Sequence, residues 1–584
     1  MRTSAACVLA CLVVTSAAAD QTPADALPAA VDAAVARHVA SGRARAAALV
    51  VVAGDRIVFT RGYGDADPGV AVAPDTTLFR IASVSKLFVA TAAAELADEG
   101  RLDLQADIRK YVPEIAVRNP FPLPITTAQL LTHTSGIADS FLHALARDPK
   151  DVLPVREFFV RYPPEVVRAP GSGIAYSNLG MALAGAVVEA VSGQRFDDFA
   201  DARLLGPLGM TRSSFRQPPP GPLADAIAGA RSPRQPPLVR PYPAGSLVAT
   251  VTDMGRFLVA HLSGGRIDGR QALRPGAVAL THARHFGDPR AQGAGYGFFE
   301  STLDGERALF HTGDSGHHGL LWMVPSRRLG LYVVYATSDE GALDMREEVA
   351  RAALGALGAQ APPPAQARQS ETDLDPYGGW YATNGAPRRT FEHIMGLLLQ
   401  VHITPVDRAT LRIRPPGAGA PITATRLDTD LFSTSEGGTL SFQRDAQGRP
   451  AAFTMTGSIW DPQGFHRVGW LETQPVTLVV FALAGLCLVI RAVMTVARLW
   501  RRKTAPVPSS LAVSALAWRL SGVLPFLLLA VPLTALLGIV LSPPPYVEMP
   551  RGITAAFGIL TLAAAIGALL PIGAAAGLRE RGWP

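Results

Sequence analysis

Apolar and polar positions fall into four regimes along this chain, and each regime predicts a different kind of element. The opening MRTSAACVLACLVVTSAAAD carries Arg2, a short apolar run and then Ala17-Ala18-Ala19. A basic start, a brief apolar core and small residues before a cleavage point describe a secretory signal over residues 1–19. From 20 to 360, Ala/Leu-rich helical stretches alternate with short strand-like runs such as AAALVVVA (46–53) and LGLYVVY (329–335), which predicts an α+β unit. The Pro-rich polar stretch around 361–374 reads as a linker. Residues 375–470 then change period: LQVHI, ATLRI and LSFQRD alternate, with a turn at Gln447-Gly448-Arg449. That pattern predicts a small antiparallel barrel or sandwich.

The fourth regime lies at the C-terminal end. Residues 475–497, 519–541 and 553–578 are long and apolar, with Arg491 near the end of the first and Arg519 at the start of the second as their charges. Each is long enough to cross a hydrocarbon core of about 30 Å as a helix. Arg498, Arg501, Arg502 and Lys503 follow the first stretch, and Arg579 and Arg581 follow the third. By the positive-inside rule these basic segments are cytoplasmic. Three spans then place 20–474 outside the inner membrane, on the side to which a signal peptide would send them.

Composition agrees with partial residence in lipid: 48% of the 584 residues are hydrophobic and 17% charged, against about 25% charged in ordinary soluble chains. A disordered chain is excluded. The net charge of +6 does not argue for nucleic acid, because the densest basic cluster (498–503) adjoins a predicted span. Cysteines occur at 7, 11 and 487 alone, so the segment between 20 and 486 can hold neither a disulfide framework nor a Cys-based metal site. No cofactor is implied. The expected partners are a small-molecule or peptide substrate and the membrane.

Three segments can carry chemistry. Ser83-Val-Ser-Lys86 opens an Ala/Leu-rich stretch that ends at Gly100, which predicts a helix with its C′ glycine. Residues three apart share a helix face, so Ser83 and Lys86 can meet in the first turn, where free N–H groups favour an anion. A serine hydroxyl needs a base, and a desolvated lysine can serve where arginine cannot. The chain has four lysines among 54 basic residues, so a lysine here is a chemical choice. Next, Tyr176-Ser-Asn178 enters a second helix; tyrosine can act in proton transfer and asparagine can orient a substrate amide. Third, His311-Thr312-Gly313 ends a strand-like run, and a glycine on an edge strand would let a substrate backbone approach. The N–H of Asp314 can complete an oxyanion hole. His317 and His318 lack metal partners at ligand spacing, and His133 reads as a structural hydrogen-bonding residue.

SVSK, LLTHTSGI, PGSGIAYSNLG, LLGPLGM, PAGSLVATVTDMGRF and HTG occur in this order. As a set they resemble the serine β-lactamase/penicillin-binding-protein superfamily in its class C-like branch, over about residues 25–360. The resemblance implies a β-lactamase/transpeptidase-like α+β fold, an antiparallel sheet flanked by helices plus a helical subdomain. It implies Ser83 as acylated nucleophile, Lys86 as its proton partner and Tyr176 as the base for Ser83 and then for the deacylating water. Asn178 would stand beside them, His311, Thr312 and Gly313 would line the far wall, and the Ser83 and Asp314 N–H groups would form the oxyanion hole. Residues 375–470 resemble the lipocalin-like C-terminal domain of many such enzymes. Class C β-lactamases carry lysine where this chain has His311, which fits peptidase and esterase members better. An imidazole there would titrate near 6.5 and read a substrate carboxylate only in acid. The function expected is a membrane-anchored, extracytoplasmic serine hydrolase acting on an ester, amide or D-amino-acid peptide. The alternative is a non-catalytic sensor that keeps the fold.

Overall fold

The computed structural model describes residues 23–483 apart from 233–235, 304, 338–344, 357–372, 391, 417–418 and 458–460, together with residues 486, 490 and 493. The expected signal peptide and the second and third apolar stretches lie outside the described residues, as does nearly all of the expected linker.

The run Ala46–Ala53 has no polar side chain, and its place in the fold explains why. It lies inside a seven-stranded sheet in the order Phe299–Leu303, Glu306–Asp314, His317–Val324, Leu329–Ala336, Ala46–Ala53, Arg56–Asp67 and Val70–Ala71, with every neighbouring pair antiparallel. Side chains alternate across a strand. Ala46, Ala48, Val50 and Val52 therefore enter one core, and Ala47, Leu49 and Val51 enter the other. Leu329–Ala336 splits the same way, with Tyr332 and Val334 on one side and Leu331, Val333 and Tyr335 on the other. A strand covered on both faces reads as a continuous apolar run rather than an alternation. Each Val or Leu buried here stabilises the fold by about 1.5–3 kcal/mol.

One face is covered by the helices Pro23–Ala40 and Met345–Ala356, which pack against each other and feed Leu27, Val31, Val349 and Leu354 into the core. Val251–Leu262 covers the other face. Behind it lies the helical part, with Lys86–Asp98 packed on Asn178–Ser192 and on Pro275–His282. Glycines end two of these helices: Gly100 (φ +74°) and Gly193 (φ +75°) take the left-handed conformation that a C-terminal turn requires. The strand that carries His311–Gly313 is second from the edge, not the edge strand that its glycine suggests; Phe299–Leu303 lies outside it.

The alternating region closes into an eight-stranded barrel, from Gly379–Thr383 round to Gln463–Arg467, with Tyr381 opposite Arg467 at the seam. Its interior is filled by Tyr377, Tyr381, Val401, Ile403, Leu411, Phe432, Leu440, Phe442 and Phe453. Eight strands leave an interior that side chains can fill, and here they do. Leu374, on the linker side of the expected boundary, is 1% exposed and belongs to this core. The short helix Glu392–Leu398 interrupts the strands.

The barrel is seated on the first unit by specific bonds. Asn384 Nδ2 donates to the Ile174 carbonyl at 3.0 Å, and the Asp139 N–H donates to the Gly385 carbonyl at 3.0 Å. The Glu392 carboxylate accepts from Ser140 Oγ (2.7 Å) and from the Phe141 N–H (2.8 Å). A Cβ at Gly464 would lie 1.8 Å from the Ile174 carbonyl oxygen, so only glycine permits the approach. Among the described residues no helix is long and apolar enough to cross a membrane. The described residues 474–483 are helical and expose Leu478, Val479, Val480 and Phe481.

Candidate active site

Ser83 sits in a 3-10 turn, Ala82–Ser85, and Lys86 is the first residue of the α-helix that follows. The sequence places Ser83 in the first α-turn. The tighter turn instead lifts it ahead of the helix and gives Ala82 a φ of +49°, a costly conformation for a residue with a Cβ. Two contacts hold the turn: the Ile81 N–H donates to the Leu247 carbonyl at 3.0 Å, and Gly313 lies against Ile81 so closely that a Cβ would be 2.2 Å from the Ile81 oxygen. The glycine of the third segment thus admits the nucleophile turn, not a substrate backbone. Ser85, the other serine of the motif, is fully buried and its Oγ accepts from the Leu247 N–H at 3.2 Å. Ser83 is half-buried.

Lys86 is 0% exposed. Its Nζ donates to Ser83 Oγ at 2.7 Å and to the Ala244 carbonyl at 2.9 Å. Burial pulls its pKa down to about 7, against the opposing charges of Asp139 and Asp461. A buried amine that titrates near neutrality and touches a serine hydroxyl is a base in waiting.

Tyr176 hydrogen-bonds to Ser83 and lies with its ring centroid 5.1 Å from Lys86 Nζ. His133 stacks on its ring at 4.4 Å, and His133 Nδ1 accepts from the Ser177 N–H at 3.1 Å. The structural role expected for His133 is therefore to place Tyr176. Burial, reinforced by the Asp461 charge, raises the Tyr176 phenol well above its ordinary pKa. The electrostatics thus oppose a tyrosinate base and favour a neutral hydroxyl that donates and relays. Asn178 begins its helix behind the N-cap Ser177. Asp139 holds it with both oxygens, accepting from the backbone N–H at 2.7 Å and from Nδ2 at 2.8 Å.

The third segment departs most from expectation. His311 is 0% exposed, and its Nδ1 donates to the Thr312 carbonyl at 2.6 Å. Its ring packs among Tyr176 and Phe299, at 6.3 and 5.3 Å between centroids. Burial and the nearby Lys86 push its pKa down to about 3. It is a neutral wall residue and offers no titrating cation to a carboxylate. The Asp314 side chain pairs with Arg346 and with His318. His317 accepts from the Arg80 N–H at 2.9 Å. Among the described residues no three His, Cys, Asp or Glu side chains converge to hold a metal.

Thr312 Oγ1 donates to Asp461 Oδ1 at 2.9 Å. Asp461 belongs to the barrel unit, just before the strand Gln463–Arg467. Sequence reasoning missed Asp461 and Asp139. Asp139 lies two residues after LLTHTSGI, a signal that could have marked it; Asp461 reaches the site only through the docking of the barrel. A cavity of about 690 Å³ opens between the 285–292 segment and the barrel, and it is lined by Arg290, Gln292 and Thr456 but by none of the residues around Ser83.

A family model described as Beta-lactamase matches residues 31–357, more than half of the chain. The chain is 30% identical over 376 residues to penicillin-binding protein 4 of Amycolatopsis lactamdurans, covering 58% of this chain and 93% of that one. It is 29% identical over 307 residues to the D-alanyl-D-alanine-carboxypeptidase/endopeptidase AmpH of Escherichia coli K12, covering 50% and 79%. The solved structure of SurE shares the fold at 24% identity with a TM-score of 0.53, covering 76% of this chain and all of that one. Sequence match, fold and the Ser83–Lys86 arrangement converge: the chain belongs to the beta-lactamase family and is a serine hydrolase of the penicillin-binding-protein type.

Proposed function

We propose that the protein hydrolyses an ester, amide or D-amino-acid peptide through an acyl-enzyme on Ser83. The observation that carries this reading is the 2.7 Å contact between Ser83 Oγ and the fully buried Lys86 Nζ. With a pKa of about 7, Lys86 is substantially neutral at physiological pH and takes the Ser83 proton as Oγ attacks the carbonyl carbon. The proton passes to the leaving group through the Tyr176 hydroxyl, which bonds to Ser83. Water then repeats the sequence on the acyl-enzyme, with Lys86 as base again. Asn178, held by Asp139, would orient the substrate amide. Neutral His311 and the Asp461–Thr312 contact argue against a site built for an anionic β-lactam. The peptidase activity named for the Escherichia coli relative supports the amide-hydrolysing reading.

The same reading makes the enzyme membrane-anchored and extracytoplasmic. The signal-like start, the three apolar stretches and the basic segments around 498–503 and 579–581 support it, as do the exposed apolar residues of 474–483. A fluorophosphonate probe tests the chemistry: one adduct is expected on Ser83, and Ser83→Ala is expected to abolish adduct and turnover together. An adduct on Ser85 would overturn the assignment.

A further inference from the structure

One end of the barrel carries an apolar ledge built from two segments far apart in sequence. One is the short helix Glu392–Leu398 with Leu399 after it, in the run EHIMGLLL. The other is the 3-10 turn Trp470–Glu472, which leads into the helix over 474–483. Hydrogen bonds lock the two together. The buried Gln400 donates from Nε2 to the Glu472 carbonyl at 2.7 Å and accepts the Gln474 N–H on Oε1 at 2.8 Å. Gln474 Nε2 in turn donates to the Leu398 carbonyl at 2.7 Å. The backbone is thus pinned, yet its apolar side chains stay out: Leu399 is 43% exposed, Trp470 72% and Leu471 63%. A lone exposed leucine needs no explanation, but a pinned apolar cluster that includes a tryptophan does.

Position and chemistry name the occupant. The helix that leaves this cluster at 474 exposes Leu478, Val479, Val480 and Phe481 and carries the apolar run 475–497 away from the barrel. If that run enters a bilayer, the bilayer surface lies at this end of the barrel. Tryptophan favours that boundary, where its ring meets the headgroups. Glu472 is the single charged residue between 468 and 490, so the contact is apolar insertion and not charge attraction. We propose that Leu399, Trp470 and Leu471 form an interfacial surface of the barrel, which sits in the headgroup layer of a lipid bilayer and fixes the height of the catalytic site above it. The proposal rests on the membrane-anchored reading and extends it from the apolar run to the folded barrel. At the other end of the same short helix, the Glu392 carboxylate holds the Ser140–Phe141 rim, which follows Asp139, the partner of Asn178. Seven helical residues span about 10 Å, so at any tilt the rim stands within about that distance of the ledge. The site is thereby held where a substrate concentrated at the membrane face can reach it.

Spin labels on the full chain, reconstituted in phosphatidylcholine vesicles, test this. Cys7→Ser, Cys11→Ser and Cys487→Ser clear the background, and labels are then attached singly through Leu399→Cys, Leu471→Cys or Val406→Cys. Val406 follows the strand Gln400–Pro405, which starts at the ledge; six residues at about 3.3 Å each place it about 20 Å away. It is exposed and sets the aqueous baseline. The ratio of collision with oxygen to collision with a water-soluble nickel chelate is expected to be severalfold higher at 399 and 471 than at 406, for a surface seated about 5–10 Å into the headgroup boundary. Position 399 is joined to the apolar run through the fold alone, so it reports the ledge and not its neighbour in sequence. A label at 399 or 471 as aqueous as that at 406, in chains that have entered the vesicles, overturns the interfacial surface and leaves the anchor standing. Chains that stay out of the vesicles defeat the anchored reading itself. Dipolar broadening between labels on two copies gives the face to a second copy of the chain and also overturns the proposal. A melting curve checks each variant; where Leu399→Cys or Leu471→Cys fails to fold, Leu398→Cys or Trp470→Cys takes its place.

Discussion

The Lys86 amine lies 2.7 Å from a serine hydroxyl without solvent contact and titrates near 7 instead of near 10. Activity is therefore expected to rise with pH through about 7 and to level off above it, because the neutral amine is the competent form; kcat/KM against pH checks this. The sign for stability follows from the same shift. Between about 7 and 10.5 the unfolded chain holds a proton on Lys86 that the folded chain has released, so this residue makes stability rise with pH in that window. Lys86→Arg keeps a charge but cannot give up its proton, and a loss of about a hundredfold or more in kcat is expected; near-normal turnover would make Lys86 structural. His311 gives the opposite expectation. Held at about 3 by burial, its imidazole signal in a pH-titrated NMR spectrum should not move between pH 5 and 8. A transition near 6.5 would show that it faces solvent or substrate. Ser83, Lys86, Tyr176 and Asn178 were legible because their spacing is local to two helix starts. The neutrality of His311 was not, since a sequence shows that a histidine is present but not how dry its surroundings are.

At the level of elements, the nucleophile turn is held from outside by the strand Glu306–Asp314. Gly313→Ala would drive a Cβ to 2.2 Å from the Ile81 oxygen, against backbone that cannot swing aside. Overpacking of this kind costs about 1–3 kcal/mol. Because Ile81 lies two residues before Ser83, kcat should fall well beyond what the lowered melting temperature explains. An alanine variant with full activity and an unchanged melting curve would mean that the strand does not position the turn. The two-faced strand Ala46–Ala53 was legible as an unbroken apolar run, and the barrel strands as alternation. The 3-10 turn and the inner position of the third-segment strand were not. The turn is held by Leu247 and Gly313, more than 160 positions away, and no local period records such partners. The strand is an inner one because the short run Phe299–Leu303 pairs outside it, and that run carries no distinct pattern of its own.

In the whole molecule the barrel is part of the site, since Asp461, Gly385 and Glu392 all bond to its rim. Its alternation was legible, its docking was not, and the acid it contributes went unread for that reason. The topology proposed for the chain has its own test. A reporter that works only outside the cytoplasm is expected to be active when fused after residue 474 and silent when fused at 504; activity at 504 would overturn the placement. The pairing of Ala46 with Ala336 has a further consequence, for the order of events during synthesis. Ala46–Ala53 emerges early, with one flank satisfied by Arg56–Asp67, yet its other flank must wait until Leu329–Ala336 has been made. For the time it takes to produce the 275 residues between Ala53 and Leu329, the most apolar strand of the sheet presents a bare edge. At about 5–20 residues per second that wait is tens of seconds. A nascent chain with such a delay depends on holdase chaperones, and depleting them should send it into aggregates seeded by this strand.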